Sequence, residues 1–134
     1  MTDTGPLVAL IDAGEADHKR CRNALKHLEA PMLTTWPVLT EAMYLLGDAG
    51  GWNAQRALWQ MLEREVLQLA ELQGSDVARA RALMEKYRDA PMDIADATLV
   101  AVAEARRLKR VFTLDSDFEI YRYRGRETFE IVPV

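Results

Sequence analysis

Four acidic residues stand out as candidates for chemistry: Asp3, Glu41, Asp96 and Asp115. A site built from them offers oxygen ligands only, and clustered carboxylates without His or Cys suit a hard divalent cation, Mg2+ or Mn2+, better than zinc. His18 and His27 lie nine residues apart on one predicted surface helix, too far apart to share a face as ligands, and Cys21 is the single cysteine. Glu41 is the most telling of the four acids. It sits in a helical run with Val38, Ala42 and Leu45 nearby, where an unpaired carboxylate would cost roughly several kcal/mol. Each acid also has an ordinary reading on its own: Asp3 as a turn residue, Glu41 as a solvent-facing helix residue, Asp96 in a favourable first helical turn, and Asp115 opening a turn.

The elements that must position these acids follow from periodicity and turn chemistry. The opening residues up to Asp3 are short and extended, and Thr4-Gly5-Pro6 feeds a short helix with proline in its first turn, where no amide partner is lost. Helices are expected over residues 17–28, 36–46 (capped by Thr35) and 53–64, from a cap at Ser75 or Asp76 to Tyr87, and over 93–108. Strands are expected over 32–34, 66–69, 111–114 and, at an edge, 129–132. Residues 47–51, with three glycines, read as a loop, and Pro91 marks a break. The helix over 93–108 is apolar around most of its circumference and should be buried on more than one side.

Strands alternating with helices imply an α/β domain with a mostly parallel central sheet, helices on both faces, and ligands at the carboxyl ends of the strands. Asp3 closes the first such strand, Asp115 closes the fourth, and Asp96 lies in the first turn of the helix immediately before it. In an open α/β sheet those ends meet.

With 134 residues, 49% hydrophobic and 28% charged, the composition is that of one globular domain spanning 1–134 rather than a disordered chain. The longest apolar runs fall far short of the roughly 20 residues a membrane helix needs, which together with the lone cysteine predicts a cytoplasmic protein. Net charge is −4, against tight nonspecific wrapping of nucleic acid, but the distribution is uneven. Residues 1–104 hold 10 basic and 16 acidic residues, whereas 105–134 hold 7 and 5. The basic end is either a solvated rim or a phosphate-contacting patch. Trp36, Trp52 and Trp59 are expected to pack rather than stack bases, and the same holds for Tyr87, Tyr121 and Tyr123.

Four stretches, taken in order, carry a resemblance: Asp3-Thr4-Gly5-Pro6-Leu7-Val8-Ala9-Leu10, then Thr34-Thr35-Trp36-Pro37-Val38-Leu39-Thr40-Glu41-Ala42, then Pro91-Met92-Asp93-Ile94-Ala95-Asp96-Ala97-Thr98-Leu99-Val100-Ala101, then Phe112-Thr113-Leu114-Asp115-Ser116-Asp117-Phe118. Together they resemble the successive motifs of PIN-domain ribonucleases, and most of all the toxins of VapC-type toxin–antitoxin pairs. The resemblance implies a three-layer α/β/α sandwich and cleavage of RNA dependent on Mg2+ or Mn2+. It further implies an antitoxin that blocks the site, a homodimer, and Asp3, Glu41, Asp96 and Asp115 as the catalytic and metal-binding acids. Asp93, three residues before Asp96 and on the same helical face, is either a further metal ligand or the helix cap. Thr4, Thr113 and Ser116 are candidates for hydrogen bonds behind the metal ligands, and Arg88 and Arg122 for phosphate contact. The chain departs from the family in having almost no residues before Asp3, so either its first strand pairs weakly or the true start lies earlier than Met1. Two rival functions stand beside this one. The first is a noncatalytic binding module whose acidic pocket holds a partner's arginine. The second is a phosphotransfer domain, which needs a lysine at a later strand end, and Lys109 precedes its strand instead.

Overall fold

Asp3 ends the extended amino-terminal segment and starts the first helix, because its Oδ1 accepts the Thr4 amide at 2.8 Å. That helix, α1 (Thr4–Ile11), buries Leu7, Val8 and Ala9. The computed structural model describes residues 1–134. The helix α2 (His18–Leu25) is shorter than the predicted 17–28 and buries Cys21 completely. His18 is not a plain surface residue: its Nδ1 lies 2.6 Å from the Ala9 carbonyl and ties α2 to α1.

The sheet is assembled from two parallel pairs. Strand β1 (Met32–Thr34) pairs with β2 (Leu67–Leu69), and β3 (Arg110–Phe112) pairs with β6 (Glu130–Val132). The amino-terminal segment lies between the pairs. Thr2 donates to the Leu33 carbonyl at 2.7 Å, Asp3 donates to the Phe112 carbonyl at 2.9 Å, and the Phe112 amide donates to the Met1 carbonyl at 2.7 Å. The Thr34 hydroxyl adds a bond to the Thr2 carbonyl at 2.8 Å. The spatial order is therefore β2, β1, amino-terminal segment, β3, β6. The expected first strand is a single parallel bridge, Thr2 to Phe112. A separate hairpin, β4 (Arg122–Tyr123) and β5 (Glu127–Thr128), turns through Arg124 and Gly125, both at positive φ.

The helix α3 (Trp36–Glu63) corrects the expected loop at 47–51. Helical structure continues through Gly47 and Gly50, and the axis breaks only at Gly51, at φ 64 and ψ −153. That backbone region is open essentially to glycine alone. Gly47 has a different use. The Gln55 side chain folds back across the kink to donate to the Met43 carbonyl at 3.1 Å, and its amide would lie 2.5 Å from a Cβ at position 47. Thr35 occupies the position before α3 but does not cap it, since its hydroxyl bonds to that of Thr98 at 2.7 Å.

The helix α4 (Gly74–Lys86) begins two residues earlier than a cap at Ser75 would allow, and three earlier than one at Asp76. Gln73 is the cap, and Asp76 reaches back to the Gln73 amide at 2.9 Å. The helix α5 (Ile94–Arg106) is buried from Ala95 through Glu104, as its apolar circumference predicted. Glu104 at its far end is paired with Arg79 of α4 at 2.8 Å and accepts the Arg124 amide at 2.6 Å, so this buried charge is satisfied. With α4 packed on α5, and α1 on α2 and α3, the helices and the sheet form the expected three-layer α/β/α sandwich around one continuous core. No helix is long and apolar enough to cross a membrane.

The kink yields a test. A methyl group at Gly51 meets nothing within 4 Å, so any cost of Gly51→Ala is backbone strain alone. We expect a loss of about 1–3 kcal/mol, read as a drop of several degrees in melting temperature. An unchanged melting temperature would mean that the break in α3 does not depend on glycine.

Candidate metal centre

The strand ends converge as the sequence predicted, at a cleft of about 380 Å3 whose walls include Asp3, Thr4, Glu15, Glu41, Asp93, Asp96 and Asp115. Asp3 arrives from the amino-terminal segment, Asp115 from the loop after β3, Asp96 from the first turn of α5, and Glu41 from the second turn of α3. Ligand oxygens of Asp3, Asp96 and Asp115 lie within 4.8 Å of one another. Glu41 and Asp93 line the same cleft but fall outside this trio.

Each member of the trio is tethered. Asp3 is buried, its Oδ1 held by the Thr4 amide and its Oδ2 by the Thr113 hydroxyl at 2.8 Å. Thr113 also accepts the Asp115 amide at 3.0 Å, so one hydroxyl links two of the acids. Asp96 is buried, and its Oδ2 accepts the Tyr121 hydroxyl at 2.9 Å. Asp115 is exposed and uses Oδ1 to accept the Asp117 amide at 2.9 Å, capping the short 3-10 helix Ser116–Glu119. Asp93 is the N-cap of α5, its Oδ1 accepting the Asp96 amide at 2.8 Å, which fits the capping alternative in the sequence.

Like charges at this spacing repel by about 3 kcal/mol per pair at an effective dielectric of 20, and proton affinities rise accordingly. Asp96 is pushed up to about 7, by burial first and then by Asp93, Asp3 and Asp115, against the opposing bond from Tyr121. Asp3 is raised by burial despite the bonds from Thr113 and Thr4. Glu41 is raised by burial and by the charges of Asp93 and Asp3. The side chain of Glu41 is nonetheless largely solvent-exposed, so the buried-carboxylate cost expected from its apolar neighbours in sequence is only partly incurred. The Thr4 hydroxyl, close enough to Glu41 to lower its proton affinity, makes no bond of proper geometry and is the sole buried side-chain polar atom without a partner.

Several candidates lie elsewhere. Ser116 is exposed, makes no hydrogen bond to the acids, and does not line the cleft. Arg122 is spent on its own backbone, donating to the carbonyls of Glu119, Ile120 and Tyr121 at 2.7 to 3.1 Å, and Arg88 donates to the Glu85 carbonyl at 2.9 Å. The cleft lining contains no Lys or Arg. Of the basic carboxyl-terminal residues, Lys109 and Arg110 sit at the start of β3, at the other end of the strand from Asp115, and pair with Glu127 and Glu130. The tryptophans are not packed either: Trp36, Trp52 and Trp59 are exposed along α3, as is Tyr44. Sequence reasoning missed Tyr121 and Glu15. Glu15 gave no signal in a polar loop, and Tyr121 looked like Tyr87 and Tyr123 until the fold paired it with Asp96.

The raised proton affinity of Asp96 gives a pH dependence. Between the ordinary 3.8 and about 7 the folded metal-free protein holds a proton that the unfolded chain has released. Stability contributed by Asp96 is thus full at low pH and lost as pH rises through 7, by at most about 1.4 kcal/mol per unit. Melting temperatures measured in EDTA should fall from pH 5 to pH 8, and Asp96→Asn should flatten that slope. Parallel slopes for the two proteins would remove Asp96 as its source.

Comparisons with known proteins agree with this fold. A model of the PIN domain matches residues 1–123. Ribonuclease VapC26 of Mycobacterium tuberculosis is 29% identical over 134 residues, covering 99% of both chains. Among solved structures, Mycobacterium tuberculosis VapC20, a toxin that cleaves the sarcin–ricin loop, superposes with a TM-score of 0.82 at 22% identity over 89% of this chain and 92% of that one. A chain of a toxin–antitoxin complex from Klebsiella pneumoniae superposes at 0.67, with 20% identity over 87% of this chain and 88% of that one. The protein described here belongs to the PIN-domain family.

Proposed function

We propose that the protein is a Mg2+- or Mn2+-dependent endoribonuclease that hydrolyses RNA phosphodiester bonds, acting in the cytoplasm as the toxin of a type II toxin–antitoxin pair. The observation that carries this is the convergence of the Asp3, Asp96 and Asp115 oxygens to within 4.8 Å of one another. The donor set fits a hard cation, being all carboxylate, and the unpartnered Thr4 hydroxyl in the same wall is free to bond a water. The ribonuclease and toxin names of the relatives support the substrate class and a cognate antitoxin. The continuous core supports reading residues 1–134 as one nuclease domain, and the exposed aromatic residues of α3 support a partner, either a second copy or the antitoxin.

In this reading Asp3, Asp96 and Asp115 hold the ion. When bound, it supplies Lewis-acid polarisation of the phosphate and neutralises charge that develops as the P–O bond breaks. Glu41, lining the same cleft and open to solvent, orients the attacking water and takes its proton. Asp93 serves α5 as its cap and adds negative charge at the rim, and in this reading ligation is secondary to that role. Thr113 fixes Asp3 relative to Asp115.

One observation favours the noncatalytic alternative: six acids and no base line the cleft, an arrangement that would also receive a partner's arginine. Two variants separate the readings. Asp96→Asn should abolish cleavage of a mixed RNA pool while the metal-free protein melts at the same or a higher temperature, since one repelling charge is gone; full activity in a pure preparation would remove the site. Glu41→Gln should lower divalent affinity and cleavage together. If instead calorimetry shows unchanged metal binding while affinity for the antitoxin drops, the pocket is a binding module.

A further inference from the structure

Asp96 has two carboxylate oxygens with different surroundings. Oδ2 accepts the Tyr121 hydroxyl at 2.9 Å, while Oδ1 accepts no hydrogen bond. Because Thr4 Oγ1 is the sole buried side-chain polar atom without a partner, Asp96 Oδ1 is open to solvent. Tyr121 itself is fully buried, clamped edge-on by Phe118 at 5.1 Å and by Tyr87 at 5.2 Å between ring centroids. A ring held on two sides has little freedom to move its hydroxyl.

The backbone adds a second constraint. Phe118 donates its amide to the Asp115 carbonyl at 3.3 Å, and Tyr121 donates its amide to the Asp117 carbonyl at 3.1 Å. One short, internally bonded segment therefore carries Asp115 at its start and the partner of Asp96 at its end. The separation between these two acids is set by that segment as well as by the sheet. Without the Tyr121 bond, repulsion from Asp3 and Asp115 would favour rotation of the Asp96 carboxylate away from them.

We infer that Tyr121 is a positioning residue of the metal centre: its hydroxyl holds Asp96 Oδ2 so that Oδ1 alone is presented toward Asp3 and Asp115. Tyr121 touches neither ion nor RNA. The inference rests on the metal-centre reading above and names a group that the four family motifs do not include. A purely structural role would be to fill the aromatic cluster and satisfy one buried hydroxyl, and Tyr87 provides the comparison. Tyr87 shares the cluster, and its hydroxyl accepts the Arg122 amide at 3.0 Å without contacting an acid of the trio.

The experiment titrates the metal-free full chain with Mn2+ by calorimetry, beginning with wild type, so that a chain that binds no divalent ion overturns the metal centre itself before any variant is compared. Given wild-type binding, Tyr121→Phe should weaken Mn2+ by about tenfold or more, the usual consequence of removing a group that orients a ligand. Tyr87→Phe should leave the affinity unchanged although it perturbs the same cluster. In an Asp96→Asn background, adding Tyr121→Phe should cause no further loss. Wild-type-like affinity in Tyr121→Phe overturns the inference, and so does an equal loss in Tyr87→Phe or in the Asp96→Asn background. A second measurement avoids dependence on how well Tyr121→Phe folds. With 3-fluorotyrosine at position 121 of the otherwise unchanged chain, Mg2+ should shift the fluorine resonance along the same isotherm as binding, and the absence of any shift would likewise overturn the assignment.

Discussion

The sheet of this protein is joined in its middle by very few residues. Two parallel pairs, β1 with β2 and β3 with β6, meet only through the amino-terminal segment, where Thr2 bonds to Leu33 on one side while Met1 and Asp3 bond to Phe112 on the other. Each such bond contributes about 1 kcal/mol net, so their importance lies in direction more than in strength. They fix the height and orientation of the segment, and Asp3 is the next residue along it. The same residues that close the sheet thereby aim the Asp3 carboxylate into the cleft. The Thr34 hydroxyl on the Thr2 carbonyl and the Thr35–Thr98 pair extend this polar seam below the cleft, where apolar side chains would pack without specifying register.

Placing three carboxylates within 4.8 Å of one another is unfavourable in the absence of a cation, and the local structure is organised around that repulsion. Asp3 has both oxygens bonded, Asp96 has one, and Asp115 has one. Hydrogen bonds to the charged form offset part of the cost, yet burial still leaves Asp96 near 7. A site in this condition would be relieved by positive charge, whether a divalent ion or a guanidinium, and in the absence of either it lowers the stability of the fold. The lack of any basic side chain in the cleft means that an anionic substrate would approach only once that negative charge is compensated.

The long helix α3 serves two surfaces. Its early turns present Glu41 to the cleft, and along its length Trp36, Tyr44, Trp52 and Trp59 are exposed to solvent. The break at Gly51 changes the direction of the second half, and Gln55 bonds back across it to Met43, so the bend is held rather than loose. Exposed large aromatics on one element are costly for a chain that acts alone and favourable once covered, which connects this helix to the proposed partners.

The acids at strand ends, the alternation of strands and helices, and the all-round apolar α5 were legible in the sequence, because periodicity and turn chemistry are local and the family motifs preserve their order. The first strand is a single bridge, Thr2 to Phe112, which matches the expected weak pairing. Residues 47–51 misled because glycine frequency signals freedom without saying whether packing will use it: Gln55 crossing Gly47 keeps that stretch helical, and only Gly51 takes the bend. The surroundings of Arg122, Lys109 and Arg110 were not legible for a related reason. Charge can be counted along a chain, but which carbonyls, carboxylates or ends of the sheet it meets depends on contacts between distant segments. Tyr121 is the clearest case, 25 residues from its partner Asp96 and indistinguishable in sequence from other packed tyrosines. The sequence by itself determined which residues bear charge and, for the four acids, which strand end or helical turn each lies at. Only the tertiary structure decided which of them meet, because hydrogen bonds and like-charge repulsion act over a few ångströms and those distances are set by packing.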